Sequence, residues 1–218
     1  MILSCIGHAK FLVELESGLR VLTDPYDANC GYPVTAVPAD VVLVSHGHGD
    51  HAAVDTVPGD PRVIREAGVY ELASDVTVTA IEAYHDDNGG AQRGKNLLFL
   101  IQAENLRIAH LGDLGHLPTK EQVSALAPLD AVMIPVGGHF TIDAEMAKRV
   151  AEMLQARIIL PMHYNTNATS SWPIKPLSEF TALYDETPEE LDLLRLTAGD
   201  MACQPHLAIL KPQSLKEH

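Results

Sequence analysis

Asp40-Val41-Val42-Leu43-Val44-Ser45-His46-Gly47-His48-Gly49-Asp50-His51 divides into two halves of opposite character. The first half is an apolar, β-branched run that reads as a central strand buried on both faces. The second half places three histidines and one aspartate directly after that strand, where α/β folds keep their sites. Imidazole and carboxylate groups beside a buried strand must be paired or coordinated. His46 and His48 alternate, so in an extended loop both face the same way. Asp50 and His51 then turn toward a second position. One short loop can thus serve two adjacent metal ions, and Gly47 and Gly49 allow its tight backbone path. The alternative is a solvated histidine-rich loop.

On both sides of this stretch the chain reads as strands first and strand–helix–strand units later. Ile2–Ile6, Phe11–Glu16 and Leu19–Thr23 form a meander with Ser17-Gly18 at one turn. Pro61–Ile64, Val76–Ala83, Leu97–Gln102 and Leu106–His110 follow as strands, with Glu104-Asn105 as a hairpin turn. Ala131–Val136 and Arg157–Leu160 are later strands, the second closed by Pro161, and His206–Leu210 is a last one. Thr119–Leu126 reads as a helix. Asp143–Gln155 is another, with Asp143 as N-cap and an apolar stripe of Ala144, Met146, Ala147, Val150, Ala151 and Leu154. Thr187-Pro188-Glu189-Glu190 reads as a capping box opening a further helix. Two sheets packed face to face with helices outside fit this order.

Composition sets outer limits. The 218 residues are 46% hydrophobic with mean hydropathy +0.04, enough for one core, and a single domain over 1–218 is expected. No window approaches ~18 consecutive apolar residues, so no membrane span is expected. The start of the chain lacks the basic region of a secretory signal. Three scattered cysteines, Cys5, Cys30 and Cys203, argue against a disulfide framework and a cysteine zinc knot, and point to the reducing cytoplasm. A net charge of −14 disfavours nucleic acid as a partner. A small-molecule substrate is expected, and self-association is left open. An anionic substrate on such a protein must be held by local positive charge.

Four more candidate ligands follow apolar runs: Asp24, His85, Asp113 and His163. Singly, each has a bland reading as a cap or surface residue. Together they complete the donor count that two zinc-like ions need.

The series Asp24, His46-x-His48-x-Asp50-His51, His85, Asp113, His163 resembles the five ordered motifs of the metallo-β-lactamase superfamily, over residues from about 1 to 170. Gly7-His8-Ala9, His110-x-Gly112-Asp113, Gly137-Gly138-His139-Phe140-Thr141 and Pro161-Met162-His163-Tyr164-Asn165-Thr166 are similar to one prokaryotic branch. That branch contains zinc-dependent hydrolases of unassigned substrate and the ascorbate-6-phosphate lactonases. The resemblance implies an αββα sandwich with the metals at one edge of its two sheets. It puts His46, His48 and His85 on a first ion, and Asp50, His51 and His163 on a second. Asp113 bridges both, while Asp24, His8 and His110 support the ligands from behind.

The implied activity is hydrolysis of a small ester, lactone or phosphoester by a hydroxide held between two divalent ions. Zinc is the first expectation, and manganese or iron suit the same donors. Asp50 also aims the nucleophile. His139 is either a proton donor or oxyanion stabiliser, or else a surface-loop histidine. The chain departs from the lactonases after His85, with Asp86-Asp87 where they carry small hydroxyl residues. A glycine-rich loop follows, and its Arg93 and Lys95 either hold an anionic part of the substrate or are solvated charges. The alternative activity is redox, as in di-iron relatives, but those carry a carboxylate in place of His48 and an added flavin domain. A metal-binding module without activity is a third class, and the intact ligand series argues against it. His116, His206 and His218 are given no role.

Overall fold

The computed structural model describes residues 1–215, so His218 and the end of the expected 1–218 domain lie outside the described residues. The first sheet begins with the meander β1 (Ile2–Gly7), β2 (Lys10–Glu14) and β3 (Arg20–Thr23), then adds β4 (Val41–Leu43) and β5 (Arg62–Ile64) in parallel. The second sheet contains β6 (Gly68–Ala73), β7 (Val76–Tyr84), β8 (Lys95–Ala103) and β9 (Leu106–His110) as antiparallel neighbours. Its parallel half adds β10 (Ala131–Pro135) and β11 (Ile158–Met162). Near the C-terminus, β12 (Glu189–Leu191) pairs with β14 (Ala208–Leu210), and β13 (Leu194–Arg195) joins the outer edge of β1. The helices are α1 (Lys120–Leu126), α2 (Ala144–Met153) and α3 (Leu177–Thr181).

Alternation along the strands builds the layers. Leu3, Phe11, Val13, Val21 and Leu43 of the first sheet meet Val78, Phe99, Ile101, Ile108, Met133 and Leu160 of the second. Leu98, Leu100, Ala109, Val132 and Ile134 point the other way, against Leu126, Ala147, Val150 and Phe180 of the helices. On the outer face of the first sheet, Ile6, Leu22, Val42 and Val44 are covered by Val37, Ala39 and Val57. The layering is that of the expected αββα sandwich, with loops and a short 3-10 turn at Val54–Thr56 on that outermost face.

The local chemistry explains the elements. Thr119 caps α1 in a reciprocal box with Gln122, and Asp143 caps α2 through the N–H of Met146 at 2.9 Å. Glu104 and Asn105 both take left-handed φ (57° and 60°), as a two-residue hairpin requires.

Two expectations need correction. Pro161 does not close its strand, because β11 runs on to Met162. Ile159 turns its N–H to His206, away from β10, and residue 161 faces that same side, so the missing donor of Pro161 costs β10 no bond. The helix expected at 187–190 is instead strand β12. Pro188 suits an extended start as well as a helical one. The leucines that follow pack into the sheets: Leu194 and Leu196 are buried in the inter-sheet core. Tertiary pairing overrides the capping signal there.

Candidate metal centre

Strand ends gather at one edge of the two sheets. The β1–β2 turn carries His8, the end of β3 carries Asp24, and the loop after β4 carries His46 to His51. His85 follows β7, His110 ends β9 with Asp113 close behind, and His163 follows β11. After β4 the chain turns tightly, with the N–H groups of His51 and Ala52 both donating to the carbonyl of His48. His8, Asp24 and His163 hold left-handed φ values of 54°, 38° and 53°. Such backbone is costly outside glycine and persists where its surroundings fix it.

Asp113 is the hub. Its Oδ2 lies 3.1 Å from His85 Nε2, 3.2 Å from His163 Nε2 and 3.8 Å from His46 Nε2. Its Oδ1 lies 3.2 Å from His51 Nε2. Donor atoms of His46, His48 and His85 fall within 4.8 Å of one another, and those of His8, Asp50, His51 and His163 form a second such group. A third group joins Asp113 to His46 and His51, and so ties the first two together. Among the described residues, both ring nitrogens of His8, Nε2 of His46 and His51, Nδ1 of His85 and His163, and Asp113 Oδ1 have no hydrogen-bond partner. Leaving so many buried polar atoms bare is costly. A divalent cation would satisfy those that face the cluster, namely His46 Nε2, His51 Nε2, one nitrogen of His8 and Asp113 Oδ1, so the donor set fits metal.

Charge in the cluster is polarised. Burial would raise the Asp113 carboxyl, but His163 and His51 beside it hold it well below the ordinary carboxylate range. Asp50 is likewise held low, by His51 and His8 against the pull of burial. Burial pushes His46 down to about 3, which keeps it neutral and able to offer a lone pair. His51 goes the other way: burial would lower it, but Asp113 and Asp24 raise it well above an ordinary imidazole.

Behind the ligands lies a layer of buried hydrogen bonds. Asp24 Oδ2 stands 2.8 Å from His51 Nδ1, so that ring turns Nε2 toward Asp113. Asp24 also accepts the backbone N–H and hydroxyl of Ser45, each at 2.7 Å. With its proton committed to Asp24, Ser45 Oγ is left to accept from His46 Nδ1 at 2.9 Å. His46 therefore presents Nε2 to the cluster. Asn96 accepts the N–H of Asp113 and donates to the carbonyl of Leu111, fixing the hub's loop. His110 Nε2 meets the carbonyl of Ala9 at 2.9 Å, and its Nδ1 accepts the N–H of Gly112.

A cavity of about 670 Å³ opens over His48, Asp50, His85, Asp113 and His163. Its far wall includes Arg93, Phe140 and Trp172, with the Arg93 guanidinium 5.6 Å from the centre of the Phe140 ring. Arg93 thus reaches the cavity, as one reading of its loop required. Lys95 does not line it: its ammonium is held at 2.8 Å by Glu82, and it borders, with Arg93, a separate cavity beside His46 and His48. His139 is exposed, 4.5 Å from the Phe140 ring, and does not line the cavity either. Ser45, Asn96 and Trp172 carried no motif signal in the sequence. Asp86 did, as the departure after His85, but its role is visible only in three dimensions: it ties together the loop bearing Arg93.

The chain matches the model of the β-lactamase superfamily domain over residues 3–163. A UPF0173 metal-dependent hydrolase of Carboxydothermus hydrogenoformans is 29% identical, over 80% of this chain and 87% of the relative. A second protein of that description, from Thermococcus onnurineus, is 29% identical over 97% of each chain. Among solved structures, a Thermotoga maritima protein described at family level as a Zn-dependent hydrolase is 33% identical. It superposes with a TM-score of 0.77 over 96% of this chain and 97% of its own. The fold, the His/Asp cluster and these likenesses agree: the chain belongs to the metallo-β-lactamase superfamily, among its metal-dependent hydrolases.

Proposed function

We propose that the chain hydrolyses a small ester, lactone or phosphoester in the cavity above Asp113, with two divalent cations held by the surrounding donors. The observation that carries this reading is the convergence of four imidazoles, each within 3.1–3.8 Å of the one Asp113 carboxylate, beneath that cavity. His46, His48 and His85 would hold one ion, Asp50, His51 and His163 the other, and Asp113 both. When bound, the cations lower the pKa of water and polarise the oxygen of the bond under attack.

The protein's own groups supply the rest. Asp50 is an anion at the cavity floor, placed to accept a hydrogen bond from the attacking water and so orient it. Asp24 and Ser45 set which nitrogen His51 and His46 present. Among the described residues Arg93 is the one lysine or arginine lining the cavity, so the substrate we infer carries negative charge away from the scissile bond. Phe140 and Trp172 give that wall an apolar face.

Elemental analysis of protein purified without added metal, followed by a panel of esters, lactones and phosphodiesters, tests the reading. About two ions per chain and turnover that a chelator abolishes are expected. A chain with no metal and no uptake on titration overturns it.

A further inference from the structure

His8 is not needed for the three-and-three division of ligands, yet it is placed as though it were a ligand. It lies in the turn between β1 and β2 at φ 54°, backbone that a residue other than glycine adopts at a cost. Its side chain is fully buried, and among the described residues neither ring nitrogen has a hydrogen-bond partner. Nε2 faces Asp50 Oδ2 at 3.5 Å, long for a hydrogen bond. The ring packs 4.3 Å from His163 and 5.2 Å from His51, while Trp172 closes the outer side edge-on at 5.3 Å.

His110 shows what a supporting histidine looks like in this molecule. It is equally buried, but one nitrogen meets the carbonyl of Ala9 and the other the N–H of Gly112. Among the described residues His8 has no partner at so short a distance, only the Asp50 carboxylate at 3.5 Å. Its donor atom belongs instead to one group with those of Asp50, His51 and His163.

We infer that His8 is a fourth protein ligand of the ion held by Asp50, His51 and His163, an assignment that rests on the two-ion reading above. Donors sharing an ion at about 2.1 Å lie roughly 3.0–3.5 Å apart, by the geometry of ordinary nitrogen and oxygen ligation. Asp50 Oδ2 stands 3.5 Å from His8 Nε2 and 3.5 Å from His51 Nε2, so toward Asp50 His8 is placed as His51 is, although His51 alone of the two also meets Asp113. The consequence is asymmetry. Three imidazoles and the Asp113 bridge serve one ion, whereas four side chains and the bridge serve the other. Five protein donors exceed the tetrahedral set that zinc prefers and suit an ion of higher coordination, such as manganese or iron. The second position should therefore select among metals more sharply than the first.

The test uses the full chain, stripped with a chelator and titrated calorimetrically with Mn²⁺, Zn²⁺ and Co²⁺, with cobalt absorption reporting coordination. Glutamine can still donate to Asp50 but offers no imidazole. Loss of a merely supporting partner costs about 10–100-fold in metal affinity, so His8→Gln should weaken one of the two sites by roughly a hundredfold or more. It should also change the cobalt spectrum of that site. His8→Gly, which suits the left-handed φ, should regain the wild-type cobalt spectrum when free imidazole is added. Circular dichroism confirms that both variants are folded before either is read. A wild-type chain with two ions, beside a His8→Gln chain of equal affinity and spectrum, overturns the ligand role of His8. A wild-type chain that takes up fewer than two ions overturns the underlying two-ion reading instead.

Discussion

Asp86 accepts the backbone N–H of Arg93 at 2.7 Å, and this bond holds in place an arginine that lines the cavity. The same carboxylate accepts the N–H groups of Asn88, Gly90 and Gln92 at 2.8–2.9 Å. Four donors converging on one buried anion make residues 86–93 a fixed loop. Burial would raise the Asp86 carboxyl, but those N–H bonds hold it down at about 2, so it stays ionised throughout the working range.

The first prediction follows. Arg93→Ala should raise the Michaelis constant for an anionic substrate more than it lowers turnover. Asp86→Ala should do the same without touching the guanidinium, because the loop loses its common acceptor. It should also weaken metal uptake, since the N–H of His85 is bonded within that loop to the carbonyl of Gly94. A wild-type Michaelis constant in Asp86→Ala, beside a raised one in Arg93→Ala, would separate the two residues.

The second prediction concerns two residues the sequence offered that do not line the cavity over Asp113. Lys95 is occupied by Glu82, and His139 is exposed outside the cavity. Lys95→Ala and His139→Gln should leave turnover, Michaelis constant and metal content essentially unchanged. A fall of about 10²-fold in His139→Gln, the usual scale of general acid catalysis, would return that residue to the chemistry.

The third prediction is on the hub and its support. Asp113 approaches imidazoles of both ligand groups, so Asp113→Ala should lower occupancy at both positions together. Asn96→Ala removes the acceptor for the Asp113 N–H and should weaken metal binding by about 10–100-fold, as loss of supporting partners does. Full metal content in Asp113→Ala would refute the bridging role.

The sequence made the clustered candidate ligands legible because each follows an apolar run whose period marks a strand, and a strand end fixes a place. His46, His85, Asp113 and His163 could be located that way before any contact was known. Their surroundings could not. Asn96 lies at the start of β8 among strand residues, and nothing local says that it faces Asp113. Trp172 belongs to an irregular segment with no periodicity. Lys95 and Arg93 are near neighbours in sequence, and only the turn of the loop sends one into the cavity and the other to Glu82. The strand at 189–191 was misread because its partner β14 is distant in sequence, while the capping signal is local.

The last prediction is the pH dependence of stability in the metal-free chain. Burial pushes His8 down to about 4 and His46 down to about 3, from 6.5 for an ordinary imidazole. Between those values and pH 6.5 the unfolded chain binds protons that the folded chain refuses. Stability therefore falls as pH drops below 6.5, with a slope on the order of 1.4 kcal/mol per pH unit for each histidine. His51 acts in the opposite sense. Although burial would lower it, Asp113 and Asp24 raise its pKa well above 6.5. Its contribution is complete below pH 6.5 and is lost as pH rises toward that higher value. The depressed Asp24, Asp50 and Asp113 add stability above the ordinary carboxylate range and lose it on further acidification, reinforcing the acid limb. The chelator-stripped protein should thus be most stable near pH 6.5, with its melting temperature falling on both sides. Bound cations compete with protons for the same nitrogens, so metal should flatten the alkaline limb by replacing the proton on His51. Thermal unfolding between pH 4 and 9, with and without metal, measures both effects. A metal-free melting temperature that keeps rising from pH 6.5 to 9 would contradict the charge state assigned to His51.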